Sequence, residues 1–150
     1  MDEKHLSISR EAATSCLAFG VRKTARAITQ TYDRKLASIG LTGTQFSMLN
    51  AINLVGEPSM MQLAEILSTD RTTLTRNLNP LKKQQLIEIR SGHDKRMRQI
   101  QLTQGGEEIL SQALEQWKSV NDTLSAAFGR GKSENLLRDL GKLMSVLSQC

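Results

Sequence analysis

Apolar residues recur at three- and four-residue steps along most of the chain, and only one short region alternates instead. Leu17, Val21, Thr24, Ala25, Ile28 and Tyr32 keep helical spacing from a cap at Ser9 to about Ser38. Between Ala12 and Val21 that segment is apolar nearly all round, so it needs more than one packing partner and predicts burial against a second subunit. Gly40 ends it. Thr42 with Gln45 forms a capping box for a helix carrying Phe46, Leu49 and Ile52, which Gly56 and Pro58 break. Ser59 with Gln62 repeats the box and opens a short helix through Leu67; Ser68, Thr69 and Asp70 then supply a turn and the next cap. Two capped helices meeting across so short a turn have the spacing of a helix-turn-helix.

The next helix, from Arg71 to about Gln85, separates its faces cleanly. Steps of about 100° put Leu74, Leu78 and Leu81 on one stripe and send Thr72, Thr73, Arg76, Asn79 and Lys83 to the other side. Pro80 removes the bond that would reach the Arg76 carbonyl, so the C-terminal half is expected to bend or loosen. Leu86 to Arg90 and Met97 to Leu102 alternate as strands around a tip at Ser91 to Arg96. Helix-turn-helix plus hairpin predicts a winged helix, in a fold that is mainly α with one small β-hairpin. Thr103 then starts a helix bearing Leu110, Leu114, Trp117, Val120 and Phe128, and Ser133, after the loop F-G-R-G-K, starts another bearing Leu136, Leu140, Leu143 and Leu147. A winged helix is complete without them, so their stripes need another surface. The expected organisation is one domain over 1–150, with a winged-helix lobe at 41–102 and dimerisation helices at 9–38 and 103–150.

Charge sharpens this picture. The 150 residues, 39% hydrophobic and 23% charged, suit one core, and the net charge of +5 favours a polyanionic partner. Between Arg71 and Arg98 the bases are Arg71, Arg76, Lys82, Lys83, Arg90, Lys95, Arg96 and Arg98, against only Glu88 and Asp94. The outward helix face carries hydroxyls, an amide, a guanidinium and an ammonium and no acid, which suits double-stranded DNA. Thr72, Thr73 and Arg76 are candidate base-edge or adjacent phosphate contacts, and Asn79 and Lys83 candidate contacts to the DNA backbone. Lys95 and Arg96 at the wing tip fit the minor groove, and Ser59 and Gln62 could present backbone donors to phosphate.

Other classes find little support. His5 and His93 are isolated from each other and from Cys16 and Cys150, so neither metal nor cofactor is expected. No phosphate loop or nucleophile motif appears, which predicts a non-enzyme. No run reaches a membrane span, and the start M-D-E-K-H-L-S-I-S-R lacks a secretory segment; a cytoplasmic protein without membrane contact is expected. An aromatic content of 3% argues against a stacking-based single-strand binder, leaving an architectural nucleic-acid-binding protein as the alternative to a regulator.

L-T-G-T-Q-F-S-M-L at Leu41 to Leu49, L-A-E-I-L at Leu63 to Leu67, D-R-T-T-L-T-R-N-L-N-P-L at Asp70 to Leu81, and D-K-R with the trailing L-T-Q-G-G at Asp94 to Gly106 resemble, in order and spacing, transcriptional regulators of the MarR family. That resemblance implies an obligate homodimer on a palindromic operator, acting as a repressor that a small aromatic or anionic effector, or an oxidant, releases. It makes Asp94 a structural acid of the wing, able to hold Arg76 in place of DNA. It implies an effector site between lobe and dimerisation helices, where Arg22, Arg26 and Tyr32 are candidate ligand contacts. A peroxide-sensing branch carries a reactive cysteine near the start of the first helix. Cys16 lies about two residues earlier than that position and Gly43 replaces an expected aromatic hydroxyl, which favours Cys16 as a small apolar residue in a helix buried at the dimer interface over a redox sensor.

Overall fold

The N-terminal segment does not form the single helix its periodicity predicts. In the computed structural model, which describes residues 2–91 and 98–149, α1 spans Glu3–Ser15 and α2 spans Leu17–Leu36. Asp2, not Ser9, caps α1 by accepting the His5 amide at 2.9 Å. Cys16 adopts an extended conformation (φ −72°, ψ 108°) that interrupts the helical hydrogen bonding between them. Periodicity cannot see this break, because the apolar spacing continues across it.

Downstream, local chemistry and structure agree closely. A 3-10 turn at Ala37–Ile39 ends on Gly40, whose φ of 76° favours a residue without Cβ. Helix α3 (Gly43–Val55) begins in a complete capping box, in which Thr42 accepts the Gln45 amide and Gln45 accepts the Thr42 amide. Asp33 of α2 adds a second cap by accepting the Gly43 amide at 2.6 Å, tying α2 to α3. Helix α4 (Met60–Ile66) has the equivalent box at Ser59 and Gln62. Ser68 turns the chain with φ 47°, and α5 (Arg71–Lys83) starts from the Asp70 cap. Pro80 stands within α5 without ending it.

Strands β1 (Ile87–Ser91) and β2 (Arg98–Leu102) pair antiparallel, with Ile89 opposite Ile100 and Glu88 opposite Gln101. Period two therefore turns the isoleucines to the core and the polar set outward. The Ile100 amide donates to the Pro58 carbonyl at 3.0 Å, so the segment before α4 lies along the hairpin. Helix α6 (Gln104–Phe128) is capped by Thr103, which accepts the Gly106 amide and donates its hydroxyl to the Gln85 carbonyl. At Gly106 a Cβ would lie 2.0 Å from the Leu86 carbonyl oxygen, so the turn of α6 rests directly on backbone. Helix α7 (Arg130–Leu147) follows Gly129 alone; it starts three residues before the expected Ser133, because Gly129, at φ 101°, reverses the chain unaided.

The core lies where α3, α4, α5, the hairpin and the first half of α6 converge on Leu49, Ile52, Leu63, Leu74, Leu81 and Ile100, all essentially inaccessible to solvent. Leu36 and Leu41 join it from the end of α2. By contrast α1 and α7 bury no residue, and Leu17 and Leu137 are each 70% exposed. Among the described residues no helix is long and apolar enough to cross a membrane.

Candidate nucleic-acid interface

Three leucines seat α5. Leu74, Leu78 and Leu81 are 0–2% exposed, which fixes the roll of the helix and turns Thr72, Arg76, Asn79 and Lys83 outward as exposed residues. Burial of such a stripe is worth about 1.5–3 kcal/mol per leucine, far more than any surface contact could oppose. The face expected from the helical wheel is therefore presented to solvent and not folded into the interior. Thr73 differs from the other four. It stands on the flank, half-buried, and its hydroxyl donates to Asp70 Oδ2 at 2.6 Å while its amide donates to Asp70 Oδ1 at 2.9 Å. These bonds, the hydroxyl's first, hold the Asp70 carboxyl below the usual aspartate range, so it is ionised at neutral pH.

Ser59 and Gln62 fill a different role from the one expected. The Ser59 amide donates to Gln62 Oε1 at 2.9 Å and the Gln62 amide to Ser59 Oγ at 3.2 Å, so the capping box already uses both backbone donors. Ser59 is also buried at 7% exposure. Both residues orient α4 instead of offering amides to a phosphate. At the wing root, Glu88 accepts from Gln101 and pairs with Arg90 at 2.6 Å; the Gln101 amide, then Arg90, lower its pKa. Half of the exposed positive charge at that root is thus neutralised, leaving Arg98 as its exposed base. Asp94, Lys95 and Arg96 lie outside the described residues, as do His93 and Cys150.

The three candidate ligand contacts do not converge within the chain. Tyr32 packs against the core, its Oη donates to Asn121 Oδ1 of α6 at 3.4 Å, and burial pushes its pKa up. Arg22 and Arg26 are exposed and stand roughly 15 and 9 Å from Tyr32 along α2, at the helical rise of about 1.5 Å per residue. What sequence reading missed is a cavity of about 540 Å³ between α3, the end of α4 and α6, lined by Phe46, Asn50, Leu54, Ile66, Leu67 and Trp117 among others. Phe46 and Trp117 stack in its wall with ring centroids 6.4 Å apart. The available signal was Trp117 itself, the one tryptophan in the chain, set among Leu110, Leu114 and Val120.

Within the single chain Cys16 is a free, exposed thiol, and it stands at the break between α1 and α2, where a continuous helix was expected. Among the described residues no group of His, Cys, Asp and Glu side chains is arranged to hold a metal ion.

Comparison with known proteins bears on this arrangement directly. The MarR family profile matches residues 39–97, from the 3-10 turn through the hairpin. The chain is 34% identical to the transcriptional regulator MosR of M. tuberculosis, whose structure in complex with DNA aligns over 88% of this chain and 98% of that one with a TM-score of 0.77. A MarR mutant from E. coli complexed with operator DNA shares the fold at 23% identity and a TM-score of 0.76, over 87% of this chain and 96% of that one. The HTH-type transcriptional regulator YwoH of Bacillus subtilis is 26% identical over 87 residues, which span 58% of this chain and 64% of YwoH, less than two thirds of its length. A winged helix with its leucine-seated fifth helix, matched by the family profile and continued by near full-length similarity to MosR, places this chain in the MarR family, whose members are transcriptional regulators and not enzymes.

Proposed function

We propose that the chain is a homodimeric repressor that binds a near-palindromic duplex through α5 and the wing and is released by a small aromatic or anionic ligand. The observation that carries the DNA-binding part is the outward face of α5, where Thr72, Arg76, Asn79 and Lys83 are exposed while the leucines behind them are sealed in the core. DNA complexes of MosR and of the E. coli MarR mutant support the same use of this chain. Thr72 and Arg76, in the N-terminal half of α5, take base edges; Asn79 and Lys83 take backbone phosphates, Lys95 and Arg96 enter the minor groove, and Asp94 serves as a structural acid of the wing.

Dimerisation is supported by the unburied apolar faces of α1, α2 and α7, which a second copy would cover. Two copies related by a twofold axis would place their α5 helices about one duplex turn apart, roughly 34–36 Å. The ligand is better served by the Phe46–Trp117 cavity than by Arg22, Arg26 and Tyr32. That cavity also touches Leu67, which caps α4 immediately before the turn into α5, so filling it would press on the connection that aims the reading helix.

The test is selection of bound duplexes from a randomised pool, followed by footprinting. A two-fold symmetric protected site is expected, and Arg76→Ala should weaken binding to it by about 5- to 150-fold, the equivalent of roughly 1–3 kcal/mol. Uniform binding with no selected site would overturn the regulator reading in favour of an architectural protein.

A further inference from the structure

Three threonines near the start of α5 carry their hydroxyls in three different hydrogen-bonding states. Thr75 donates back to the Arg71 carbonyl at 2.8 Å and is spent on its own helix. Thr72 has no side-chain hydrogen bond among the described residues and can donate or accept. Thr73 donates to Asp70 Oδ2, and because an ionised carboxylate accepts only, that hydroxyl hydrogen cannot be turned outward without losing a short charge-assisted bond. Its oxygen keeps lone pairs and no proton to give.

We propose that Thr73 selects an amino-bearing base, adenine or cytosine, on the strand it faces in the major groove, and that Asp70 sets this choice by holding the Thr73 hydroxyl hydrogen. The inference rests on α5 being the reading helix, as proposed above. In the major groove adenine N6 and cytosine N4 donate, whereas guanine O6 and thymine O4 accept. An acceptor-only hydroxyl gains a hydrogen bond from the first pair and meets a lone pair from the second. The preference is therefore for A or C over G or T at one position per half-site. This makes Thr73 an acceptor on a face whose other exposed side chains can all donate.

The two Asp70 oxygens have separate duties, which makes the idea testable without unfolding the helix. In Asp70→Asn the amide oxygen must stay on the Thr73 backbone N–H, since only an acceptor can serve there. The amide nitrogen then replaces Oδ2 and donates to Thr73 Oγ1, releasing the hydroxyl hydrogen to point outward. Asparagine caps helices about as well as aspartate, so the fold is retained.

Full-length wild type, Thr73→Val, Thr73→Ser and Asp70→Asn are each used to select duplexes from a randomised pool, and bound sequences are counted position by position. Wild type and Thr73→Ser are expected to prefer A or C about 3- to 10-fold at one symmetric pair of positions, the range of one hydrogen bond. Thr73→Val should flatten that pair alone, and Asp70→Asn should invert it toward G or T. Removing the Asp70 charge can also raise affinity for every duplex by easing repulsion from phosphate, so base preference and not affinity is the readout. If wild type selects a symmetric site and both Thr73→Val and Asp70→Asn keep its preference at every position, the proposal is overturned while the regulator reading stands. If wild type selects no symmetric site, it is the regulator reading that fails.

Discussion

At Gly106 a single hydrogen atom decides whether two elements can meet. The Leu86 carbonyl occupies the place where a side chain would begin, and it is backbone that cannot rotate away. Gly106→Ala should therefore destabilise the fold by about 1–3 kcal/mol, the usual cost of overpacking, read as a lower urea midpoint at unchanged slope. Asp70 and Glu88 make a pH prediction of definite sign. Both carboxyls have pKa values lowered in the folded state, so their contribution is present above the ordinary carboxylate range and is lost as pH falls through the lowered folded values. The difference in stability between wild type and Asp70→Asn should accordingly shrink on acidification below that range and stay level near neutrality. The spacing of Leu74, Leu78 and Leu81 was enough to find the outward face, because helical period and hydrophobicity are properties of the chain itself. The direction of the Thr73 proton was not legible, since it depends on which of two carboxylate oxygens faces the hydroxyl. The same limit hid the fate of the Ser59 and Gln62 amides: the capping box was readable, but its completeness is a matter of distances.

At the scale of elements, capping signals located α3, α4, α5 and α6 to within a residue or two, while the start of α1 lies at the Asp2 cap and not at Ser9, and two ends without a side-chain cap moved. Helix α7 starts at Arg130 after Gly129, and the first helix divides at Cys16, where no side chain caps α2. The Phe46–Trp117 cavity is a product of three helices and has no signature in any one of them. Because Trp117 is the one tryptophan, its fluorescence isolates this cavity from the rest of the molecule. Titration with a small aromatic acid is expected to change that emission saturably, and Asn50→Phe, which fills the space, should abolish the change. A saturable response that persists in Asn50→Phe would place the ligand elsewhere.

For the whole molecule, the division between a buried lobe and bare terminal helices is the dominant feature. Leu17, Leu137 and Leu147, each more than half exposed, lie on helices that bury little or nothing in one copy. Sedimentation is expected to give a dimer, and the double change Leu17→Glu with Leu137→Glu should yield a monomer that binds a symmetric site at least 10-fold more weakly, since only one half-site is then engaged. A monomeric wild type would remove the basis for the symmetric site.

Sequence by itself determined the helical period, the caps, the hairpin and the bias of charge toward 71–98, since each arises from residues close together in the chain. Tertiary structure decided which polar groups remain available. It spent the Ser59 and Gln62 amides, fixed the Thr73 proton on Asp70, set Tyr32 against Asn121, and opened a cavity beside Trp117. Those outcomes depend on distances between separate side chains, and a hydrogen bond is made or lost over less than an ångström, a precision that spacing along a chain does not carry.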